Sequence, residues 1–198
     1  MAVHATPQTL KEKLGGRNIF LIGMMGSGKS QTGPFLAKMI DYAFVDTDDV
    51  IEKASKQSIS SIFEKNGEKV FRDVEKQVLK EISQHHSLVI ATGGGLVTLP
   101  ENWDILHQGI VIWLDLDLKR SIKRLESDQK KRPLLMGGDL AESFSQIYES
   151  RKPIYLESDL RIEVEDQSSY EVATMITERL PSILINQDTQ AERHTTEL

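Results

Sequence analysis

The chain has 198 residues, 39% of them hydrophobic and 27% charged, which fits one folded domain and leaves little room for a second. Lys and Arg number 24 against 30 Asp and Glu, a net charge of -6, so general electrostatic capture of nucleic acid or an anionic membrane is disfavoured. An anionic ligand must then be held by local, focused cations. The absence of cysteine excludes a disulfide framework and any thiolate metal site.

The longest apolar runs, such as Ile19 to Ile22 and Ile110 to Leu114, fall far short of the ~20 residues a membrane helix needs. Lys11, Glu12 and Lys13 interrupt what would be the apolar stretch of a secretory signal, so a cytoplasmic protein is expected.

In chain order, short apolar runs alternate with longer amphipathic stretches, the pattern of βαβ units and a mainly parallel sheet covered by helices. Strands are predicted at 18–22, 43–45, 88–92, 110–114 and 161–164. Helices are predicted at 29–39, 48–56, 101–107, 119–126, 140–149 and 170–180. A further helix carries Val70, Val74, Val78 and Ile82 at four-residue spacing, one apolar stripe with Arg72 off it. The segment 129–139 (QKKRPLLMGGD) combines a basic run, a proline and a glycine pair and reads as a mobile lid-like loop. The polar end, 186–198, reads as a frayed tail.

Gly23-Met24-Met25-Gly26-Ser27-Gly28-Lys29-Ser30 matches G-x-x-x-x-G-K-[ST] and follows directly on Ile19-Phe20-Leu21-Ile22. Strand, glycine loop and helix start stand where a phosphate-binding loop needs them. Small residues let successive backbone N–H groups turn inward around a phosphate at the positive end of the helix. Lys29 would neutralise the β- and γ-oxygens, and the Ser30 hydroxyl would ligate Mg²⁺. No Asp is followed by Gly at the third position and no Asn-Lys pair exists, which disfavours a regulatory GTPase and leaves small phosphotransferases as the natural class.

The run ending at Thr92 carries no acid, so the metal's carboxylate has two candidate sources. Asp115 ends one apolar run, where a solvated strand-end carboxylate is the plainer reading. Asp46 and Asp48 follow another; if extended, both point to one side, one for Mg²⁺ and one for a substrate hydroxyl. Thr92 is followed by Gly93, Gly94 and Gly95, which bring backbone close to a ligand at an entropic cost that a plain connection does not need. Arg72, Arg132 and Arg151 supply planar donors suited to carboxylate and phosphate, so a small acidic acceptor is expected.

Together these residues resemble the shikimate kinase family. The resemblance runs from about Asn18 to Leu180 through GMMGSGKS, Asp46-Thr47-Asp48, Phe71-Arg72-x-x-Glu75, Ala91-Thr92-Gly93-Gly94-Gly95, Arg132-Pro133-Leu134-Leu135 and Arg151-x-Pro153-x-Tyr155. It implies a P-loop kinase of the nucleoside-monophosphate-kinase type, an α/β/α sandwich with a five-stranded parallel sheet and a mobile lid. It implies transfer of the ATP γ-phosphoryl group to the 3-hydroxyl of shikimate, on the route to chorismate and the aromatic amino acids.

Carried over by position, Gly26, Ser27, Gly28, Lys29, Ser30 and Gln31 line the triphosphate, Ser30 and Asp46 hold Mg²⁺, and Asp48, Arg72, Gly93, Gly94, Gly95 and Arg151 bind shikimate. Lys29, Asp48 and Arg132 carry the chemistry, with Arg132 reaching the phosphates as the lid closes. One domain is expected over 17–182, its lid at about 127–140, with an N-terminal extension at 1–16 and a flexible tail at 183–198. A monomer acting on ATP and shikimate, without nucleic acid or membrane, is expected.

Gln31 stands where the family usually has Thr, and Pro34 deletes one backbone bond a turn into the helix. No basic or amide residue of the kind often found near Ser168 is recognised for adenine. A related kinase, such as one for gluconate, or a non-catalytic nucleotide-binding relative would share the phosphate loop.

Overall fold

The computed structural model describes residues 9–127 and 140–196. Five strands form one sheet: β1 (Ile19–Ile22), β2 (Ala43–Asp46), β3 (Leu88–Ala91), β4 (Ile110–Leu116) and β5 (Leu160–Val164). Their spatial order is β2-β3-β1-β4-β5 and every pairing is parallel. All four residues of β1 and all seven of β4 are buried, because helices cover both faces of a parallel sheet and neither side needs polar residues.

Alternation along the strands divides the core in two. Ile19 and Leu21 of β1 and Ile112 and Leu114 of β4 face one cluster, which includes Leu36 of α2 (Lys29–Ile40) and Ile176 of α8 (Ser169–Thr196). Phe20, Ile22, Val111 and Trp113 face the other, with Leu79 of α4 (Ile59–Ile82), Trp103 of α5 (Pro100–Leu106), Leu125 of α6 (Leu118–Ser127) and Phe144 of α7 (Leu140–Tyr155). This is the expected three-layer α/β/α architecture. A third, small cluster of Ile51, Ile62 and Phe71 joins α3 (Thr47–Ser55) to α4.

Several elements exceed their predicted bounds. Residues 59–66 add an earlier helical stretch to α4, which breaks at Gly67 (φ 79°). Val70, the first residue of the predicted stripe, is 42% exposed; Val74 and Val78 are partly buried against the core and Ile82 is buried, with Phe71, Arg72, Glu75 and Leu79 buried beside them. α7 runs past 149 and carries Arg151 and Pro153 to Tyr155. α2 continues through Pro34 to Ile40.

The ends of the chain also differ from the reading. Within the segment read as an extension, α1 (Leu10–Leu14) is fixed by a capping box between Thr9 and Glu12 and buries Leu14. α8 does not stop near Leu180 but continues through Pro181 to Thr196. Leu184 is buried one turn beyond Leu180, so the apolar face outlasts the proline at which the sequence reading stopped.

Candidate active site

The phosphate loop spans the end of β1 and the start of α2. Gly23 has φ 139° and its Cα faces the Leu114 carbonyl, so a Cβ there would collide with backbone. Gly26 and Gly28 have φ of 81° and 93°, values that favour glycine. Gly28 is the N-cap of α2 and makes no side-chain cap hydrogen bond, so the first N–H groups of the helix are left for an anion. Lys29 is buried and folds back over the loop, its ammonium donating to the carbonyls of Gly23 at 2.7 Å and Met24 at 3.0 Å. Gly26, Ser27, Gly28, Lys29, Ser30 and Gln31 all line one cleft of about 650 Å³, within the range of small-molecule sites.

Asp46 and Asp48 line the same cleft, though not as an extended pair. Asp46 ends β2 and caps α3, its Oδ1 accepting from the Asp48 N–H at 2.9 Å. Asp48 thus stands in the first turn of a helix, where a carboxylate is favoured by the helix dipole. The Ser30 hydroxyl and these carboxylates make an oxygen-only set suited to a hard cation such as Mg²⁺. Among the described residues no group of three or more His, Cys, Asp or Glu side chains could hold a metal by itself.

An adjoining pocket is lined by Phe63, Phe71, Arg72, Glu75, the three glycines 93–95 and Arg151. Arg72 donates through Nη1 to Glu75 Oε2 at 2.6 Å and through Nη2 to Glu68 Oε1 at 3.1 Å. Its guanidinium lies so close to Gly95 that any Cβ there would strike it. Arg151 is buried and donates from Nη1 to the Gly94 carbonyl at 2.9 Å. The Tyr155 hydroxyl donates to that carbonyl at 2.8 Å, and burial pushes its pKa up to about 12. The Gly93 N–H donates to Thr47 Oγ1 at 3.1 Å, tying the glycine turn to α3. Burial raises the Glu75 pKa, and the nearby Asp48 charge adds to this while Arg72 opposes it.

Met25, Asp48 and Gly94 line both pockets. The boundary between the two pockets is therefore formed by a carboxylate, a methionine and a glycine backbone.

Asp115 belongs to neither wall. It is not a solvated strand end: its side chain is 7% exposed and pairs with Arg161 at 2.7 Å. Arg132 and most of the lid-like segment lie outside the described residues. On the nucleotide side the structure adds side chains that sequence reading passed over. Arg124 lines the cleft and donates to the Gly26 carbonyl at 3.2 Å and the Glu165 carbonyl at 3.2 Å. Gln167, an amide beside Ser168, lines it too, which corrects the expectation that this segment has no such group. An arginine two turns into a helix, far from any motif, gave no signal in sequence; Gln167 was legible and overlooked.

The shikimate kinase family model matches residues 25–181. A shikimate kinase of Prochlorococcus marinus (strain NATL2A) is 88% identical over 198 residues, covering 100% of both chains. Another, from Prochlorococcus marinus (strain MIT 9211), is 54% identical over 94% of each chain. The solved shikimate kinase from Acinetobacter baumannii in complex with shikimate superposes with a TM-score of 0.82 at 34% identity, covering 87% of this chain and 97% of that one. With the phosphate loop, the acid pair and the arginine-lined glycine turn in one fold, the chain belongs to the shikimate kinase family.

Proposed function

We propose that the protein transfers the γ-phosphoryl group of ATP to the 3-hydroxyl of shikimate, giving shikimate 3-phosphate and ADP. The observation that carries this is the shared boundary of the two pockets at Asp48 and Gly94. A phosphate-binding loop opens on one side of it and two buried arginines on the other.

The loop N–H groups and Lys29 hold the β- and γ-phosphates, leaving the terminal phosphorus facing Asp48. Arg72 and Arg151 grip the acceptor carboxylate with planar, charge-assisted hydrogen bonds. Asp48 accepts from the 3-hydroxyl and aims its oxygen at the phosphorus. Phosphoryl transfer passes through a loose transition state, so orientation and charge stabilisation matter more than proton removal. Ser30 and Asp46 hold Mg²⁺, which when bound neutralises phosphate oxygens. Arg132 is assigned to the phosphates from its place in the sequence. The need for ATP fits a cytoplasmic setting.

The test is phosphorus NMR of the product formed from ATP and shikimate. Coupling of the new phosphate to the C3 proton is the expected result; phosphate on another hydroxyl, or on water, contradicts the assignment.

A further inference from the structure

Asp115 was the rival metal ligand, yet it is buried away from the cleft with both oxygens engaged. Its Oδ1 accepts from the Tyr148 hydroxyl at 3.2 Å, and its Oδ2 accepts from Arg161 Nε at 2.9 Å and Nη2 at 2.7 Å. The Arg161 guanidinium also lies 5.0 Å over the Trp113 ring. Trp113 in turn stacks on Tyr155, with centroids 5.5 Å apart.

Tyr148 and Tyr155 both belong to α7, with Arg151 between them. Spacings of three and seven residues put all three on one helix face. β4 therefore grips α7 on either side of Arg151, by a hydrogen bond one turn before it and by ring stacking one turn after it. The pair is half buried, with the Arg161 side chain 46% and the Asp115 side chain 7% exposed. What it supplies is orientation: with Oδ2 held by Arg161, Oδ1 is presented to Tyr148.

We propose that Asp115 is a positioning residue for the acceptor: through Tyr148 it sets the face of α7 that aims Arg151 at the shikimate carboxylate. This rests on the reading that Arg151 grips that carboxylate, and the experiment separates the two.

Steady-state kinetics are measured for Tyr148→Phe, Asp115→Asn, Arg151→Lys and the double variant Tyr148→Phe/Arg151→Lys. Tyr148→Phe is expected to raise the KM for shikimate about threefold to tenfold, the scale of one lost hydrogen bond, with the KM for ATP and kcat unchanged. Asp115→Asn keeps an acceptor oxygen for Tyr148 and is expected to give a smaller rise. In the Arg151→Lys background the Tyr148→Phe effect should largely vanish, because both changes damage one contact.

If Arg151→Lys raises the shikimate KM while Tyr148→Phe and Asp115→Asn do not, Arg151 keeps its role and the positioning by Asp115 is refuted. Equal rises in both KM values, or full additivity in the double variant, also refute it, since general loosening of the fold does that. If Arg151→Lys leaves the shikimate KM unchanged, the reading of Arg151 fails first and the proposal falls with it.

Discussion

Glu75 accepts a 2.6 Å hydrogen bond from Arg72 at Oε2, while its Oε1 is buried against Gly93 with no hydrogen-bond partner among the described residues. The carboxylate has no exposed surface. It therefore serves to hold the guanidinium, and it carries a proton more readily than a solvated glutamate does.

The linkage follows from that raised pKa. In the folded protein Glu75 binds its proton more tightly than in the unfolded chain, whose value is near 4.5. Its contribution to stability is greatest at low pH and is lost as pH rises through 4.5 and then the raised value. Glu75→Gln removes this dependence. Thermal melts from about pH 4 to about pH 8 should show the variant gaining on the parent as pH rises; parallel curves would refute the buried-carboxyl account.

Arg72→Ala is expected to weaken shikimate binding by at least about thirtyfold, the scale of a lost charge-assisted pair. Nucleotide affinity should stay near that of the parent. Calorimetry with each ligand separately checks this, and equal loss of both would contradict the assignment of Arg72 to the acceptor side.

A new methyl group at residue 95 meets the Arg72 guanidinium, the far end of a flexible side chain, rather than backbone. Gly95→Ala is therefore expected to fold while displacing Arg72, with a lower Tm from leaving the buried Glu75 carboxylate without its guanidinium, so that the shikimate KM rises and the ATP KM does not. A large drop in Tm with both KM values unchanged would contradict this.

The legible parts of the fold were those set by local sequence. Ile19 to Ile22 could only be a buried strand, and the glycines after it permit the positive-φ turn of the phosphate loop. Asp46 and Asp48 were found by spacing, but their shared wall is made by a helix cap rather than by strand alternation. The valine spacing of α4 marks a face whose Val74, Val78 and Ile82 pack inward, but it does not report that Arg72, off that stripe, is buried too, because its guanidinium is held by Glu75 at the site. Arg124 and the partners of Asp115 come together only through tertiary packing of α6, α7 and β5. No periodicity in one segment reports that.

For the metal, Asp46→Asn is expected to raise the Mg²⁺ concentration needed for half-maximal rate about tenfold or more, as losing a ligand or its support does. Asp115→Asn should leave that requirement unchanged, since its carboxylate is committed to Arg161 and Tyr148. Titration of activity with Mg²⁺ after chelation decides between them. A shift for Asp115→Asn alone would return the metal to β4.

The identity of the acceptor is open to direct measurement. Release of ADP is followed in a coupled assay with Mg²⁺, ATP and either shikimate, gluconate or no acceptor. Rapid turnover is expected with shikimate and only background ADP release in the other two cases; folded protein that turns over no faster with shikimate than without an acceptor would rule out shikimate as the acceptor.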